Sequence, residues 1–346
     1  MNFIILGAGA VGCYVGGRLA AAGERVSLVG RPRGMEPLAQ AGGAGLKVTD
    51  LDGFNAQVPA AQLNIVTSLH EAWAKLEDGP TSPNQDTTVI LLCVKGGATS
   101  SAAQEIAACS PTGTVVLSLQ NGVDNVTRIN AAAPACAAVA GMVPYNVVLK
   151  TPTHVHRATG GRLYVGESAV SADLAARFNA AGLSIRVAQD MRAVQWGKLL
   201  LNLNNPINAL SDLPLREQLL NRDFRVILAT LQQEALAAMA NAGIEPVQLG
   251  ASPPRTMPRI LKLPNWIFTR IASRMLRMDA SARSSMWDDV QQGRTTEIDD
   301  MCGAVVRLAA QSGTQAPCCA ALCTLMANHT KTQRWTGKNL RKALKI

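Results

Sequence analysis

A lysine and an asparagine within an otherwise apolar stretch are the first residues of this sequence suited to chemistry. Lys198 and Asn202 lie four apart in VQWGKLLLN, and a helix would place both on one face. Lysine is rarely buried without a partner or a purpose, so the pair indicates a polar site; a lysine that snorkels from a helix edge is the alternative. The amides that follow favour a site that positions a polar substrate: Asn204, Asn205 and Asn208.

A second polar group lies further along the chain. The segment Ser284-Ser285-Met286 precedes GRTTEID, which contains Glu297. The pattern predicts one amphipathic helix over 287–311, on which Glu297 either contributes to a site or faces solvent with the neighbouring carboxylates. The sequence alone leaves both interpretations of Glu297 open.

The N-terminal residues have the spacing of a dinucleotide-binding loop. The apolar run 3–6 predicts a buried parallel strand, and a GxGxxG motif follows it directly. The motif's first glycine makes the turn, the second lets backbone approach a pyrophosphate, and the third packs helix against strand. A helix to about Ala22 and a strand over 25–29 complete the unit. We therefore expect a cofactor to bind at Gly7, Ala8, Gly9, Ala10, Val11 and Gly12.

The residue after the second strand predicts which dinucleotide binds. An NAD site normally has an acidic residue there for the ribose 2′-hydroxyl, whereas this chain has Arg31. Arginine favours the 2′-phosphate of NADP, and a solvated basic loop is the alternative, because surface arginines are common. The sequence thus predicts NADPH and NADP+ as the cofactor pair.

Two further buried strands lead into polar residues. The strand predicted over 87–94 delivers Lys95, and the strand over 113–119 delivers Gln120 and Asn121. The carboxyl ends of parallel strands form the ligand-binding edge of an open α/β sheet, so we expect Lys95 and Asn121 to belong to the cofactor-binding edge. A helix-capping role is the alternative for Asn121.

The sequence changes character near residue 190. Strand and helix signals alternate before it, and helical patterns follow it. We expect an α/β Rossmann-type domain over 1–190, an all-α domain over 191–330 and a solvated basic tail over 331–346, with a cleft between the two domains. The local predictions for the first domain are a hairpin at 46–58 attached to the sheet, a loop at 79–86, and one strand at 136–149 and one at 162–165 with a polar spacer between them. In the second domain the proline-rich stretch 246–264 is predicted to be a loop or an irregular corner.

Composition excludes several functional classes. Of the 346 residues 48% are hydrophobic and 16% charged, and no apolar run reaches the roughly 18 residues of a membrane span. The eight cysteines form no CxxC pair, and His154 and His156 have no further ligand cluster beside them, so no metal is expected. The net charge of +9 fits an anionic cofactor and substrate, and no nucleic-acid motif is present. We expect a cytoplasmic protein that binds neither membrane nor nucleic acid; the sequence does not decide between monomer and homodimer.

Taken together, these motifs resemble the ketopantoate reductase (2-dehydropantoate 2-reductase) family. The resemblance spans residues 1 to about 325 and keeps the family's order and spacing. Its motifs are GAGAVG at 7–12, Arg31, VK at 94–95, QNG at 120–122, WGKLLLN at 196–202, SSM at 284–286 and GRTTEID at 293–299. It implies NADPH-dependent reduction of a 2-oxo acid to a 2-hydroxy acid, in the family's case ketopantoate to pantoate in pantothenate synthesis. It also implies a helical domain like the C-terminal domain of 6-phosphogluconate dehydrogenase.

The resemblance also assigns roles to residues. Lys198 matches the family's general acid and Glu297 its active-site glutamate. Contacts with cofactor or substrate are implied for Asn121, Asn202, Ser285 and, with one gap allowed, Asn205. Leu215 and Ala282 stand where members that act on ketopantoate commonly carry asparagine, which predicts a bulkier or less polar 2-oxo acid.

The expected mechanism is hydride transfer from the nicotinamide to the ketone. Lys198 polarises the carbonyl and protonates the alkoxide, with a pKa lowered by burial, and closure of the domains completes the site. Two other functions fit the same architecture. A paralogue, or a 6-phosphogluconate or opine type of dehydrogenase, would act on a different acid, because a fold does not fix a function. A non-catalytic NADP-binding regulator would keep the glycine loop without needing Lys198 and Glu297.

Overall fold

The computed structural model describes residues 1–40, 45–77, 87–273, 275–276, 279 and 281–346. The chain divides into two compact units, Met1–Met191 and Arg192–Ile346. The loop predicted at 79–86 lies outside the described residues.

The first unit is an α/β domain. Its strands are β1 (Asn2–Leu6), β2 (Arg25–Val29), β3 (Leu46–Asp50), β4 (Asn55–Val58), β5 (Leu63–Val66), β6 (Thr88–Leu92), β7 (Val115–Ser118), β8 (Ala137–Met142), β9 (Val147–Thr151), β10 (His154–Arg157), β11 (Leu163–Gly166) and β12 (Ile185–Ala188). Its helices are α1 (Ala10–Ala21), α2 (Pro32–Ala39), α3 (Leu69–Glu77), α4 (Thr99–Cys109), α5 (Asn125–Ala132) and α6 (Ser171–Ala180).

The larger sheet has the order β12-β11-β8-β7-β6-β1-β2-β5. Neighbouring strands run parallel except for β8 and β11. The run from β5 to β8 is the strand order of a Rossmann fold, which confirms the predicted fold class. β1 is covered on both sides, since Phe3 and Ile5 join one hydrophobic core and Ile4 and Leu6 join the other. This double burial is the reason that β1 is apolar from Phe3 to Leu6.

The prediction that the hairpin at 46–58 extends this sheet is wrong. β3 and β4 form a separate sheet with the order β4-β3-β10-β9. The predicted polar spacer therefore contains a strand, β10, and the predicted strand at 136–149 is two strands, β8 and β9, in different sheets. Pro144 lies between them, and a proline cannot donate a ladder hydrogen bond.

A buried ion network ties the small sheet to α1. Asp50, at the end of β3, accepts hydrogen bonds from Arg18 Nη1 of α1 at 2.8 Å and from Arg157 Nη2 of β10 at 3.1 Å. The Tyr14 hydroxyl accepts from Arg157 Nε at 2.9 Å, and Arg18 Nε donates to Ala181 O at 2.9 Å. These contacts connect β3 and β10 of the small sheet with α1.

The described residues of the second unit form helices, which confirms its predicted all-α character. The helices are α7 (Met191–Asn202), α8 (Asn204–Ser211), α9 (Leu215–Leu220), α10 (Arg222–Asn241), α11 (Met257–Lys262), α12 (Asn265–Ile271), α13 (Ser285–Gln291), α14 (Ala304–Gln311), α15 (Pro317–Ala327) and α16 (Gly337–Ala343). None of the helices in the described ranges combines the length and apolarity needed to cross a bilayer.

Three predictions for this unit need correction. The proline-rich stretch 246–264 contains α11, because Pro258 lies in the first turn, where a missing N–H costs nothing. The helix predicted over 287–311 is interrupted after Gln291, as described below. The segment 331–346 is not a solvated tail: it contains α16, whose Leu340 is buried together with the C-cap residue Leu344 and whose Arg341 Nη1 pairs with Asp223 Oδ1 at 2.8 Å.

Candidate active site

The glycine loop between β1 and α1 has room for a phosphate at one position. Gly7 has a φ of +105°, and a Cβ there would lie 2.6 Å from Val94 N. A Cβ on Gly12 would collide with Gly7 O, whereas a Cβ on Gly9 would meet no atom within 4 Å. Gly9 is also the N-cap of α1, whose first N–H groups have no acceptor within the helix. The loop therefore fits the pyrophosphate of a dinucleotide.

Arg31 stands beside this loop because the loop is bonded to the end of β2. The N–H groups of Gly7 and Ala8 both donate to Val29 O at 3.0 Å. A Cβ on Gly30 would lie 3.1 Å from the Ala8 Cβ, so the chain passes close to the loop one residue before Arg31. Arg31 is exposed and forms the N-cap of α2. Its guanidinium is thus available to an anion held at the loop.

A buried network connects the ends of β6 and β7. Gln120 Nε2 donates to Val94 O at 2.9 Å and to Thr99 Oγ1 at 2.8 Å. Its Oε1 accepts from the Ser118 hydroxyl at 3.0 Å. The network fixes the backbone at the strand ends that carry Lys95. The sequence indicated Gln120 only as one of two polar residues after an apolar strand.

Asn121 is held by its backbone in the same region. Its carbonyl accepts from Asn125 Nδ2 at 2.7 Å, and Asn125 Oδ1 lies 3.0 Å from the Thr99 hydroxyl. Asp124 is the N-cap residue of α5 and makes no side-chain capping hydrogen bond; the helix-capping alternative for Asn121 stays open. Asn121 is half-buried and Lys95 is exposed.

Lys198 and Asn202 lie one turn apart on α7, as the spacing predicts. Trp196 and Leu199 beside the lysine are buried, and a Cβ on Gly197 would collide with Val247 O, so the helix is closely packed there. Lys198 and Asn202 are themselves half-buried. Burial lowers the pKa of Lys198 to about 8. The side chain can therefore act as a proton donor close to neutral pH.

The three asparagines that follow α7 have different roles. Asn208 is fully buried and structural: its Nδ2 donates to Leu213 O at 2.8 Å and to Gln218 Oε1 at 3.0 Å. Asn204 Oδ1 accepts from Gln218 Nε2 at 2.7 Å. Asn205 is half-buried and has its Nδ2 4.0 Å from Met301 Sδ, a weak contact. Of the three, Asn205 is the best placed to bind a substrate.

Ser285 is the exposed first residue of α13, and its neighbour Ser284 anchors it. Ser284 is buried and caps the helix by accepting from Trp287 N at 3.2 Å. Its N–H donates to Asn208 Oδ1 at 2.9 Å, and its hydroxyl donates to Asn205 O at 3.2 Å. The start of α13 is therefore bonded to α8, which brings Ser285 near Asn205.

Glu297 lies on an irregular segment and not on a helix. Gly293 ends α13 with a φ of +61°, and Arg294 N donates back to Asp289 O at 2.8 Å. A π-helical turn, Asp299–Gly303, follows Glu297 and leads into α14. Such turns often mark functional sites. The sequence missed this break, although a glycine after a polar helix end is a usual stop signal.

A cavity of about 750 Å³ lies beside this segment. Thr296 and Ile298, on either side of Glu297, line it together with residues of 326–331. Lys198, the expected general acid, does not line this cavity. No group of three or more His, Cys, Asp or Glu side chains in the described part of the chain could hold a metal ion.

Comparison with known proteins decides the family. The family model described as "Ketopantoate reductase PanE/ApbA" matches residues 3–169, and the model described as "Ketopantoate reductase PanE/ApbA C terminal" matches residues 190–330. The chain belongs to the ketopantoate reductase family. It is accordingly an oxidoreductase that uses a nicotinamide dinucleotide, as the glycine loop predicted.

Members of the ketopantoate reductase family resemble the chain along most of its length. The 2-dehydropantoate 2-reductase of Archaeoglobus fulgidus is 28% identical over 316 residues, which are 89% of this chain and 91% of that protein. The crystal structure of a PanE/ApbA family ketopantoate reductase from Ralstonia eutropha has a TM-score of 0.74 and 28% identity, and covers 94% of this chain and 97% of its own. A ternary structure of D-mandelate dehydrogenase with NADH and anilino(oxo)acetate shares the fold, with a TM-score of 0.72 and 20% identity over the whole of both chains.

Proposed function

We propose that this chain reduces a 2-oxo acid to a 2-hydroxy acid with NADPH, and that ketopantoate to pantoate is the first candidate reaction. One observation carries the proposal: Lys198, at the family's general-acid position, is half-buried on α7 and has a pKa lowered to about 8. An ammonium with that pKa can polarise a ketone and then give up a proton. The Archaeoglobus fulgidus relative is named 2-dehydropantoate 2-reductase, which supports ketopantoate as the candidate substrate.

The preference for NADPH rests on Arg31. Its exposed guanidinium follows the segment that is bonded to the glycine loop, and no acidic residue stands at that position. A charge-assisted hydrogen bond to the 2′-phosphate contributes on the order of 1.5–3 kcal/mol. The open space beside Gly9, where a Cβ would meet no atom within 4 Å, supports pyrophosphate binding at the same loop.

The bound cofactor supplies the hydride, and the side chains of the second unit do the remaining work. In this proposal Lys198 Nζ donates a hydrogen bond to the ketone oxygen and passes its proton to the alkoxide that forms there. Asn202, Asn205 and Ser285 hold the substrate carboxylate and its other oxygens. Glu297 orients the lysine or accepts a hydrogen bond from the product hydroxyl. Lys95 and Asn121 contribute to cofactor binding, and Asn121 also to substrate binding.

A less polar 2-oxo acid is the second candidate substrate. Leu215 N donates to Ala282 O at 2.9 Å, so the two residues that replace expected asparagines have their backbones in contact. Leu215 is half-buried there. If this pair faces the substrate, it offers apolar surface where amides would otherwise bind a hydroxyl, and an acid with an apolar side chain gains from that exchange.

The test is NADPH oxidation measured against a panel of ketopantoate, an aliphatic and an aromatic 2-oxo acid. The proposal expects turnover of at least one acid, a lower kcat/KM with NADH, and loss of turnover in Lys198→Ala. Binding of NADPH without turnover of any 2-oxo acid would contradict the proposal and favour a non-catalytic NADP-binding regulator. Turnover confined to a phosphorylated sugar acid or an amino acid would favour the 6-phosphogluconate or opine type of dehydrogenase.

Several predictions from the sequence stay predictions. They are the assignment of cofactor binding to residues 1–190 and of catalysis to 191–330, the closure of the two domains, a cytoplasmic location and a homodimer.

A further inference from the structure

Asp212 has an unusual backbone conformation at the end of α8. Its φ of 53° and ψ of 27° place it in the left-handed region. Within the described part of the chain only one other non-glycine residue, Lys345, has a positive φ. Aspartate tolerates this region better than most residues, but the conformation is still uncommon and needs support from its surroundings.

The Asp212 carboxylate collects three donors from two other segments. Oδ1 accepts from Trp287 Nε1 at 2.6 Å and from Arg283 Nη1 at 3.3 Å. Oδ2 pairs with Arg334 Nε at 2.7 Å. The Arg283 guanidinium also stacks on the Trp287 ring, 4.5 Å from its centroid. Only 12% of the Asp212 side chain is exposed, so its contacts with Trp287 and Arg283 are largely shielded from water.

Two of these donors flank Ser285, which is proposed to bind substrate, in the sequence. Arg283 and Trp287 stand on either side of Ser285, and Ala282, which precedes Arg283, accepts the hydrogen bond from Leu215 N. Asp212 itself ends the helix that carries Asn205. One carboxylate thus holds the Ser285 segment against the helix of Asn205 and beside Leu215.

We infer that Asp212 is a positioning residue for the substrate half of the site. It fixes the distance from Ser285 to Asn205 and keeps Ala282 opposite Leu215, without touching substrate or cofactor itself. A shift of about 1 Å in such a constellation costs substrate binding and turnover. The cofactor-binding loop lies in the other unit, so cofactor affinity has no reason to change. This inference rests on the proposed function.

The test compares Asp212→Gly, which keeps the left-handed backbone and removes the carboxylate, with Asp212→Asn, which keeps an acceptor for Trp287 and removes the charge. The expected result is a KM for the preferred 2-oxo acid raised about tenfold in Asp212→Gly, with partial rescue in Asp212→Asn and the KM for NADPH unchanged. Arg334→Ala is the matched control, because Arg334 is 76% exposed and bonds the same carboxylate from the other side. It should leave the KM of the 2-oxo acid within twofold.

The outcomes separate the two proposals. If the wild type reduces no 2-oxo acid, the proposed function fails and this inference fails with it. If the wild type is active, an unchanged KM for the acid in Asp212→Gly overturns the inference alone, and so does an equal rise in the KM of NADPH. If Asp212→Gly does not fold, Asp212→Asn and Trp287→Phe decide. Trp287→Phe removes the hydrogen bond from Trp287 Nε1, and Asp212→Asn removes the negative charge that holds Arg283. The inference requires that each raise the KM of the acid at least threefold without changing the KM of NADPH.

Discussion

Leu215 N donates a 2.9 Å hydrogen bond to Ala282 O, so the two positions that depart from the ketopantoate-type pattern face each other across one backbone contact. They are far apart in sequence, and this hydrogen bond brings their backbones together. In the proposed function the two positions would then act on the same part of the substrate. The pair would affect substrate choice more than the reaction type.

Restoring both amides should improve the reduction of ketopantoate. In Leu215→Asn combined with Ala282→Asn, kcat/KM for ketopantoate should rise about tenfold or more, because each added hydrogen bond contributes about 0.5–1.5 kcal/mol. The value for an apolar 2-oxo acid should fall. Leu215→Met keeps an apolar side chain of similar volume and is the control. The prediction is falsified if the wild type already prefers ketopantoate strongly over every other acid tested.

Removing the guanidinium of Arg31 should weaken NADPH binding selectively. Loss of a charge-assisted contact worth about 1.5–3 kcal/mol raises the KM of NADPH about tenfold or more in Arg31→Ala and leaves the KM of NADH nearly unchanged. Arg33→Ala, an exposed arginine in the first turn of α2, is the matched control and should behave like the wild type. An equal loss with both cofactors would mean that Arg31 does not read the 2′-phosphate.

Lys198→Ala should abolish most of the chemistry. Removing a positioned acid lowers turnover by about 10² to 10⁴, while the Kd of NADPH stays nearly intact, because the glycine loop belongs to the other unit. Single-turnover hydride transfer, followed by loss of nicotinamide absorbance, separates this step from product release. Glu297→Ala should have a smaller effect. A folded Lys198→Ala protein that transfers hydride at the wild-type rate would move the role to another cation, with Lys95 the next candidate.

The same lysine predicts how the rate depends on pH. Burial lowers the pKa of Lys198 to about 8, and the reduction needs the protonated form. The rate of ketone reduction should therefore be highest below pH 8 and fall tenfold per pH unit well above it. Lys198→Arg, which keeps a charge at every accessible pH, should be slower and should lose this decline. A wild-type rate that stays flat from pH 7 to pH 10 would argue against Lys198 as the acid.

Asp50 should be the main acid-sensitive point of the first unit. Burial alone would raise its pKa, but hydrogen bonds from Phe54 N and Arg157 outweigh burial and hold the pKa below its usual value. A carboxylate with a lowered pKa stabilises the fold above the ordinary pKa of aspartate, and this stability is lost as pH falls through the folded value. Stability measured by urea unfolding at descending pH should show the loss.

The matched substitution tests the same network. Asp50→Ala leaves the buried Arg18 without its carboxylate and leaves Arg157 only the exposed Asp52, so it should cost about 3–5 kcal/mol of unfolding free energy. Asp52→Asn removes a neighbouring carboxylate that is 66% exposed and should cost about 1 kcal/mol or less. Equal costs for the two variants would show that the buried pairing is not what holds the small sheet.

The sequence predicts the elements whose signals are local. The GxGxxG loop, the doubly buried β1 and the one-turn spacing of Lys198 and Asn202 all follow from residue type and period. The small sheet could not be predicted in this way, since its position depends on Asp50 meeting Arg157 from a distant part of the chain. The structural role of Asn208 was hidden for the same reason, because it requires Gln218 and Ser284.

The break in the chain after Gly293 has a consequence for how Glu297 can be aimed. On a helix, each residue added or removed upstream rotates every later side chain by about 100°, so direction changes only in large steps. Glu297 instead lies on an irregular segment that starts at a left-handed glycine, Gly293, and ends at the π-helical turn. Its direction is set by a handful of independent backbone torsions and can be adjusted in small increments. If Glu297 has the role proposed for it, its carboxylate could thus be redirected toward a differently shaped acid without disturbing the helices that flank it.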